Sequence, residues 1–383
     1  MALFFCLAAL NLLIIDVPMS AHASPSQPLR LYIGTYTGSQ SQGIYVCEFD
    51  AATGKLSEPR LAVKTDSPSY LALHPNGRVL YAVGENSDVG SGKGAVRAFK
   101  IDAATGELSL LNEQPTGGIA PCHLSVDATG HCVLVANYGG GSVCCLPIDT
   151  EGKLQPAASL IEHKGSSVNR IRQRHPYAHS IVPDPGNRFA LACDLGLDKV
   201  LVYRLEPATA TLTTNEPPSA SVKPGLGPRH LAFDSSGKFA YLISEMGSAI
   251  TVFAYDAARG ELRELQTVSA LPPDFKGSST CSEIALHPSG KFLYASNRGH
   301  DSLAIFNIDA QTGRLTAAGY EPTGGRTPRH FAIDPSGTWL LAENQDSNTV
   351  VVFHIDPATG KLAKTGTPIS VGAPVCGVFW TAP

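Results

Sequence analysis

Four histidines, His123, His179, His230 and His330, stand at one recurring position of this chain. Beside them, or at the end of the strand that follows each, lie Arg229, Arg298 and Arg329. The same places hold the carboxylates Glu85, Asp194, Glu245 and Glu283 and the amides Asn137, Asn297 and Asn344. Imidazole titrates near neutrality and can take or give a proton. Guanidinium stabilises a developing oxyanion and holds carboxylates or phosphates in a two-pronged contact. Such a set suits hydrolytic acid–base chemistry, on condition that the fold gathers side chains that lie dozens of residues apart.

A repeat supplies that scaffold. The turn DAATGKL (50–56) recurs as DAATGEL (102–108), DTEGKL (149–154), EPATATL (206–212), DAARGEL (256–262), DAQTGRL (309–315) and DPATGKL (356–362). The period is roughly 51 residues, within the range of a propeller blade. An apolar strand precedes each turn, as in AITVFAYD and TVVVFHID, with both faces hydrophobic as in a sheet sandwiched between two others. Further upstream comes a strand, a tight x-x-G turn and a second strand, as in RHLAFDSSGKFAYLISE (229–245), which reads as a β-hairpin. Four short strands repeated seven times predict an all-β, seven-bladed propeller of four-stranded antiparallel blades.

The chain ends predict how the ring closes. APVCGVFW near the C-terminus looks like a first strand with nothing after it, and LYIGTYTG with GIYVCEFD looks like second and third strands with nothing before them. Pairing the two completes the last blade and removes two open sheet edges. The start of each first strand and the end of each second strand then ring one mouth of the central channel. Two loops overhang that mouth: residues 162–180, carrying Lys164, Arg170, Arg172, Arg174 and His175, and residues 271–283, LPPDFKGSSTCSE. The basic loop suits an anionic substrate.

Composition narrows the function classes. The chain has 383 residues, a formal net charge of −4 and no long basic run, which argues against nucleic acid as a partner. Residues 2–17 are apolar and Ala21-His22-Ala23 precedes Ser24, predicting an export signal over 1–23, a propeller over 24–383 and no membrane insertion after cleavage. A periplasmic or secreted location follows; no basic residue precedes the apolar run, so a cytoplasmic one stays open. The eight cysteines from Cys47 onward lack metal-type spacing and are expected to be buried free thiols, with disulfide pairing unassigned. No metal or other cofactor is expected.

The strings ANYGGGSV (136–143), RQRHPYAHS (172–180), GPRHLAF (227–233), LPPDFKG (271–277) and ASNRGHDSLAIF (295–306) together resemble the lactonase-type seven-bladed propellers. That family includes the propeller form of 6-phosphogluconolactonase and the fungal carboxymuconate-lactonising enzyme. The resemblance implies a small-molecule lactone substrate and a catalytic cluster of His179, Arg229, Glu245 and Arg298. Within that cluster His179 is expected to be the base that activates water, because an ordinary imidazole titrates near neutrality, and Glu245 to orient it or share its proton, with those two roles open to exchange. Arg229 stabilises the oxyanion, and Arg298 holds an anionic group of the substrate. Arg174, Tyr177, His123, His230, Asn137 and Asn297 are expected to contact substrate, Tyr177 standing where relatives often carry a histidine. Two other readings remain at this level: a ligand-binding propeller without catalysis, and a lactone-forming cycloisomerase of the muconate type.

Overall fold

The computed structural model describes Met1 and residues 28–86 and 94–383, which form seven antiparallel sheets set around a channel. The expected export signal lies, Met1 apart, outside the described residues. Six sheets are four consecutive strands each. Their inner two strands are Leu71–Leu73 and Val79–Gly84 in the first blade, then Pro121–Val126 and Cys132–Asn137 in the second. Ala178–Pro183 and Phe189–Asp194 follow in the third, and Pro228–Phe233 and Phe239–Ser244 in the fourth. Thr280–Leu286 and Phe292–Arg298 belong to the fifth, Pro328–Ile333 and Trp339–Asn344 to the sixth.

The seventh blade is the predicted composite. Pro374–Trp380 is its inner strand and pairs antiparallel with Leu29–Thr35, which pairs with Gly43–Asp50. Its outer strand differs from the expected single piece: it is split into Lys55–Leu56 and Arg60–Lys64, both on Gly43–Asp50. Pro59 explains the break, since it has no N–H to donate to the ladder.

The two-sided apolar strands have the expected cause. Each of the seven hydrophobic clusters straddles two adjacent blades, including one that joins the seventh to the first. A second device ties neighbours together. Tyr32, Tyr81, Tyr241 and Tyr294 lie on second strands and donate their hydroxyls to the carbonyls of Gly106, Gly152, Gly313 and Gly360, the turn glycines of the next blade, at 2.8–3.0 Å. Those turns are built as the sequence predicts. Asp356 Oδ1 accepts from the N–H groups of Ala358 and Thr359, and Gly360 closes the turn at φ 69°. Gly360 has a further reason to lack a side chain, because a Cβ there would lie 2.6 Å from the Phe292 ring of the preceding blade. Cys47, Cys122, Cys132, Cys144, Cys145, Cys193, Cys281 and Cys376 are free thiols and all buried.

Candidate active site

A repeated irregularity builds the site. Where the first strand of a blade reaches the mouth, its pairing with the second strand slips by one residue in blades two, three, four, six and seven. The residues left out of the ladder are Cys122, His179, Arg229, Arg329 and Val375. A β-bulge of this kind re-aims the unpaired side chain. Cys122, His179 and Arg329 line the cavity at the mouth, and Arg229 lies just behind it. The expected grouping of His179 with the other three histidines does not hold: the bulge aligns it with Arg229 and Arg329, while His123, His230 and His330 align with Ser180 one layer deeper. Spacing to the turn aspartate carries the same signal, five residues from His179, Arg229 and Arg329 to Asp184, Asp234 and Asp334, but four from His123, His230 and His330 to Asp127, Asp234 and Asp334.

The cavity, about 350 Å³, is lined by Glu85, Cys122, Tyr138, Arg172, His179, Glu245, Thr280, Arg298 and Arg329. Glu245 is its electrostatic centre, placed at the end of a second strand by its own N–H bonded to the Gly227 carbonyl at 2.7 Å. Arg172 Nη2 donates to its Oε1 at 2.6 Å and Arg298 Nη2 to its Oε2 at 2.9 Å. Arg229 Nε and His179 Nε2 each lie 3.6 Å from Oε2, ion-pair contacts longer than a formed hydrogen bond. Burial works against the Glu245 charge, but His179, Arg298 and Arg229 outweigh it and hold the carboxyl well below its usual range. Burial and the Arg229 charge push His179 down to about 4, so its imidazole is neutral at neutral pH. Burial and the nearby Arg298 and Arg329 lower Arg229 to about 10, which leaves it charged. Cys122 Sγ lies 3.8 Å from His179 Nδ1, yet burial pushes its thiol well above the usual range and away from a nucleophilic thiolate.

The four residues expected to be catalytic therefore meet at one carboxylate. The six expected substrate contacts divide differently. His123 and His230 sit in the deeper layer, with ring centroids 5.1 Å apart, and His230 Nδ1 is 3.0 Å from Glu283 Oε2. Asn137 and Asn297 are fully buried and their amides hold loops. Asn137 Nδ2 donates to Ser142 Oγ at 3.1 Å, and Asn297 Nδ2 to the Ala270 carbonyl at 2.8 Å, so the substrate contacts expected of them are withdrawn. Arg174 is exposed and not among the lining residues; Arg172, two positions earlier in the same loop, reaches Glu245 instead. The Tyr177 ring packs between His175 and Tyr138, at 4.1 and 4.9 Å, and it is Tyr138 that lines the cavity. Sequence reasoning placed Glu85 and Arg329 in the mouth ring and Arg172 on the overhanging loop without giving them individual roles, and it passed over Tyr138. For Arg329 a signal was present: the Pro-Arg-His string of residues 228–230 recurs at 328–330.

A larger groove, about 820 Å³, runs along the outer edge of the seventh blade beside Pro28, and it gathers no histidine or arginine. Among the described residues no helix is long and apolar enough to cross a membrane.

Known proteins are similar to this chain along most of its length. A family profile described as lactonase, 7-bladed beta-propeller, matches residues 30–379. A 6-phosphogluconolactonase of Bacillus subtilis is 40% identical over 298 residues, covering 78% of this chain and 83% of that protein. One of Formosa agariphila is 37% identical over 307 residues, covering 78% and 85%. The solved structure of a periplasmic gluconolactonase from Pseudomonas aeruginosa is 36% identical and superimposes with a TM-score of 0.88, over 93% of this chain and 99% of that one. By sequence and by fold, this chain belongs to the lactonase family of seven-bladed β-propellers.

Proposed function

We propose that this protein is a hydrolase that opens a sugar lactone at the channel mouth. The observation that carries the reading is the closed cluster in which a neutral imidazole and a carboxylate flanked by three guanidiniums line one cavity. The described relatives, 6-phosphogluconolactonases and a gluconolactonase, support the substrate class. Water enters beside His179 and its oxygen attacks the lactone carbonyl as one proton passes to Nε2. The imidazolium so formed is stabilised by Glu245 Oε2, 3.6 Å away. Arg229 and Arg298 lower the energy of the tetrahedral oxyanion. As the ring C–O bond breaks, the proton moves from His179 to the leaving oxygen, and the open hydroxy acid departs. A pH-stat screen of the purified chain on sugar lactones, phosphorylated and unphosphorylated, with spontaneous hydrolysis subtracted, tests this directly. Absence of any rate above background would sink it and favour a binding-only propeller.

The buried base fixes a pH profile. A general base works unprotonated, and kcat/KM reports the free enzyme. With His179 lowered to about 4, kcat/KM is expected to be flat from about pH 7 to 5 and to fall as pH drops through about 4. Glu245, held below its usual range, stays ionised over the flat region. A midpoint near 6.5, where an ordinary histidine titrates, would exclude His179 as the base.

Export is proposed on the sequence junction at Ala23-Ser24 and is supported by the relative described as periplasmic. Native protein is expected to give an intact mass beginning at Ser24; a full-length cytosolic species would overturn this.

A further inference from the structure

The charges around the mouth do not balance. At the mouth Arg172, Arg229, Arg298 and Arg329 meet the carboxylates Glu85 and Glu245, and the neutral His179 adds nothing, leaving an excess of positive charge that Glu283, one layer deeper, offsets only at Arg229. The excess is unevenly placed. Blades three to five supply His179, Glu245, Arg229 and Arg298, and there Glu245 is the one contact counter-ion that Arg172, Arg229 and Arg298 share. Arg298 Nη2 is committed to Glu245 and to the Cys281 carbonyl at 2.8 Å, which keeps it at the reacting end of the cavity and away from the substrate's own anionic group, the task expected of it.

Arg329 stands on the other arc of the wall, formed by blades six, seven and one. Its Nη2 donates to the Tyr36 hydroxyl at 2.9 Å, and its guanidinium lies over the Tyr36 ring, 5.2 Å from the centroid. Tyr36 in turn donates to Glu85 Oε2 at 2.9 Å, and Ser69 Oγ donates to the same oxygen at 2.5 Å. Burial raises the Tyr36 phenol, so it remains a neutral support that cannot cancel the arginine's charge. Among the described residues no carboxylate lies within 4 Å of Arg329. Burial opposes its charge, and Glu85 and Glu245, acting from beyond contact distance, help to keep it a cation whose fork holds no carboxylate directly. Its planar fork, pinned from behind by ring and hydroxyl, is preorganised to take a carboxylate or phosphate.

We propose that Arg329, seated on Tyr36 and steadied through Glu85, is the specificity-determining anchor for an anionic group of the substrate. The ligand class is a hydroxylated lactone, or its opened acid, that bears a phosphate or carboxylate. The anion lies on the arc of blades six, seven and one while the reacting carbonyl faces His179 and Glu245. This deepens the lactonase reading and rests on it for the carbonyl end alone.

Calorimetric titration of the full chain with inorganic phosphate and with D-gluconate tests the anchor without turnover. Kinetics on a phosphorylated and an unphosphorylated gluconolactone test its part in specificity. Arg329→Gln is expected to weaken binding of the probe anions about 10- to 100-fold, the range for losing charge-assisted hydrogen bonds. It should raise KM for the anionic lactone by a similar factor while changing kcat/KM for the neutral lactone less than about threefold. Arg326→Gln, an exposed arginine on the same blade, should change neither. Should Arg329→Gln fail to fold, Arg329→Lys is judged by the same split between anionic and neutral lactone. Failure of the parent to bind either anion, equal losses on both lactones, or unchanged binding in the variant would each overturn the anchor. A parent that binds the anions through Arg329 and hydrolyses no lactone would leave the anchor standing and remove the lactonase reading.

Discussion

A chain that stops at Gly372 is expected to be unfolded at 25 °C, with no cooperative melt and little soluble yield. The missing Pro374–Trp380 is the inner strand of the seventh blade, and it buries Val375, Cys376 and Trp380 almost completely. Trp380 packs on Tyr32 at 5.9 Å, carries Arg30 over its ring and donates its indole N–H to the Gly77 carbonyl in the first blade at 2.6 Å. Truncating one buried Trp to Ala costs about 3–5 kcal/mol. Complete removal of the strand adds the burial of the Val375 and Cys376 side chains and the ladder on Leu29–Thr35. Together these are comparable with the entire stability of an ordinary domain, about 5–15 kcal/mol. The loss also leaves the edge of Leu29–Thr35 unpaired beside the channel. Trp380→Ala supplies the graded comparison and should lower the urea midpoint without abolishing the transition. Unchanged melting of the truncated chain would show that the seventh blade does not close the ring.

What the sequence makes legible is what repeats. Asp/Gly turns, hairpins and two-faced apolar strands recur at a constant period, so blade number and closure follow from pattern alone. The interior of the mouth does not repeat, and there the reading slips by small displacements. His179 looks like one of four equivalent histidines only until the spacing is counted, since it stands five residues before its turn aspartate and the others four. Asn137 and Asn297 end their strands where a substrate contact is plausible, but their Nδ2 groups are taken by the Ser142 hydroxyl and the Ala270 carbonyl. The basic loop was visible as a whole, yet which arginine enters depends on its folding. Asn169 Oδ1 accepts from the N–H groups of Ile171 and Arg172, a turn that precedes the reach of Arg172 to Glu245 and leaves Arg174 outside. The roles of Glu85 and Tyr36 were hidden for a different reason. Their importance comes from Arg329, nearly 300 residues from Tyr36, and that contact exists only once the ring is closed.

His179→Ala should lower kcat by about 10² to 10⁴, the usual loss for one general acid–base group, while leaving a folded propeller. Glu245→Gln should lose a similar factor, for a partly different reason and with a structural signature. Its carboxylate is the shared counter-ion of Arg172, Arg298 and Arg229, so the amide leaves three cations facing one another. Breaking a buried ion pair by removing one partner costs about 3–5 kcal/mol, and the partly exposed Arg172 places this case toward the lower end. Glu245→Gln is therefore expected to melt earlier than the parent, and its rate must be read well below that transition. The two residues act on one proton. A variant carrying both changes should consequently be no slower than the worse single variant, within about threefold, whereas independent contributions would multiply. Circular dichroism melts and background-corrected rates on the same preparations separate the outcomes. Folded variants at both positions that keep the parent's rate would remove catalysis from this cluster and leave a propeller that binds its ligand without turning it over.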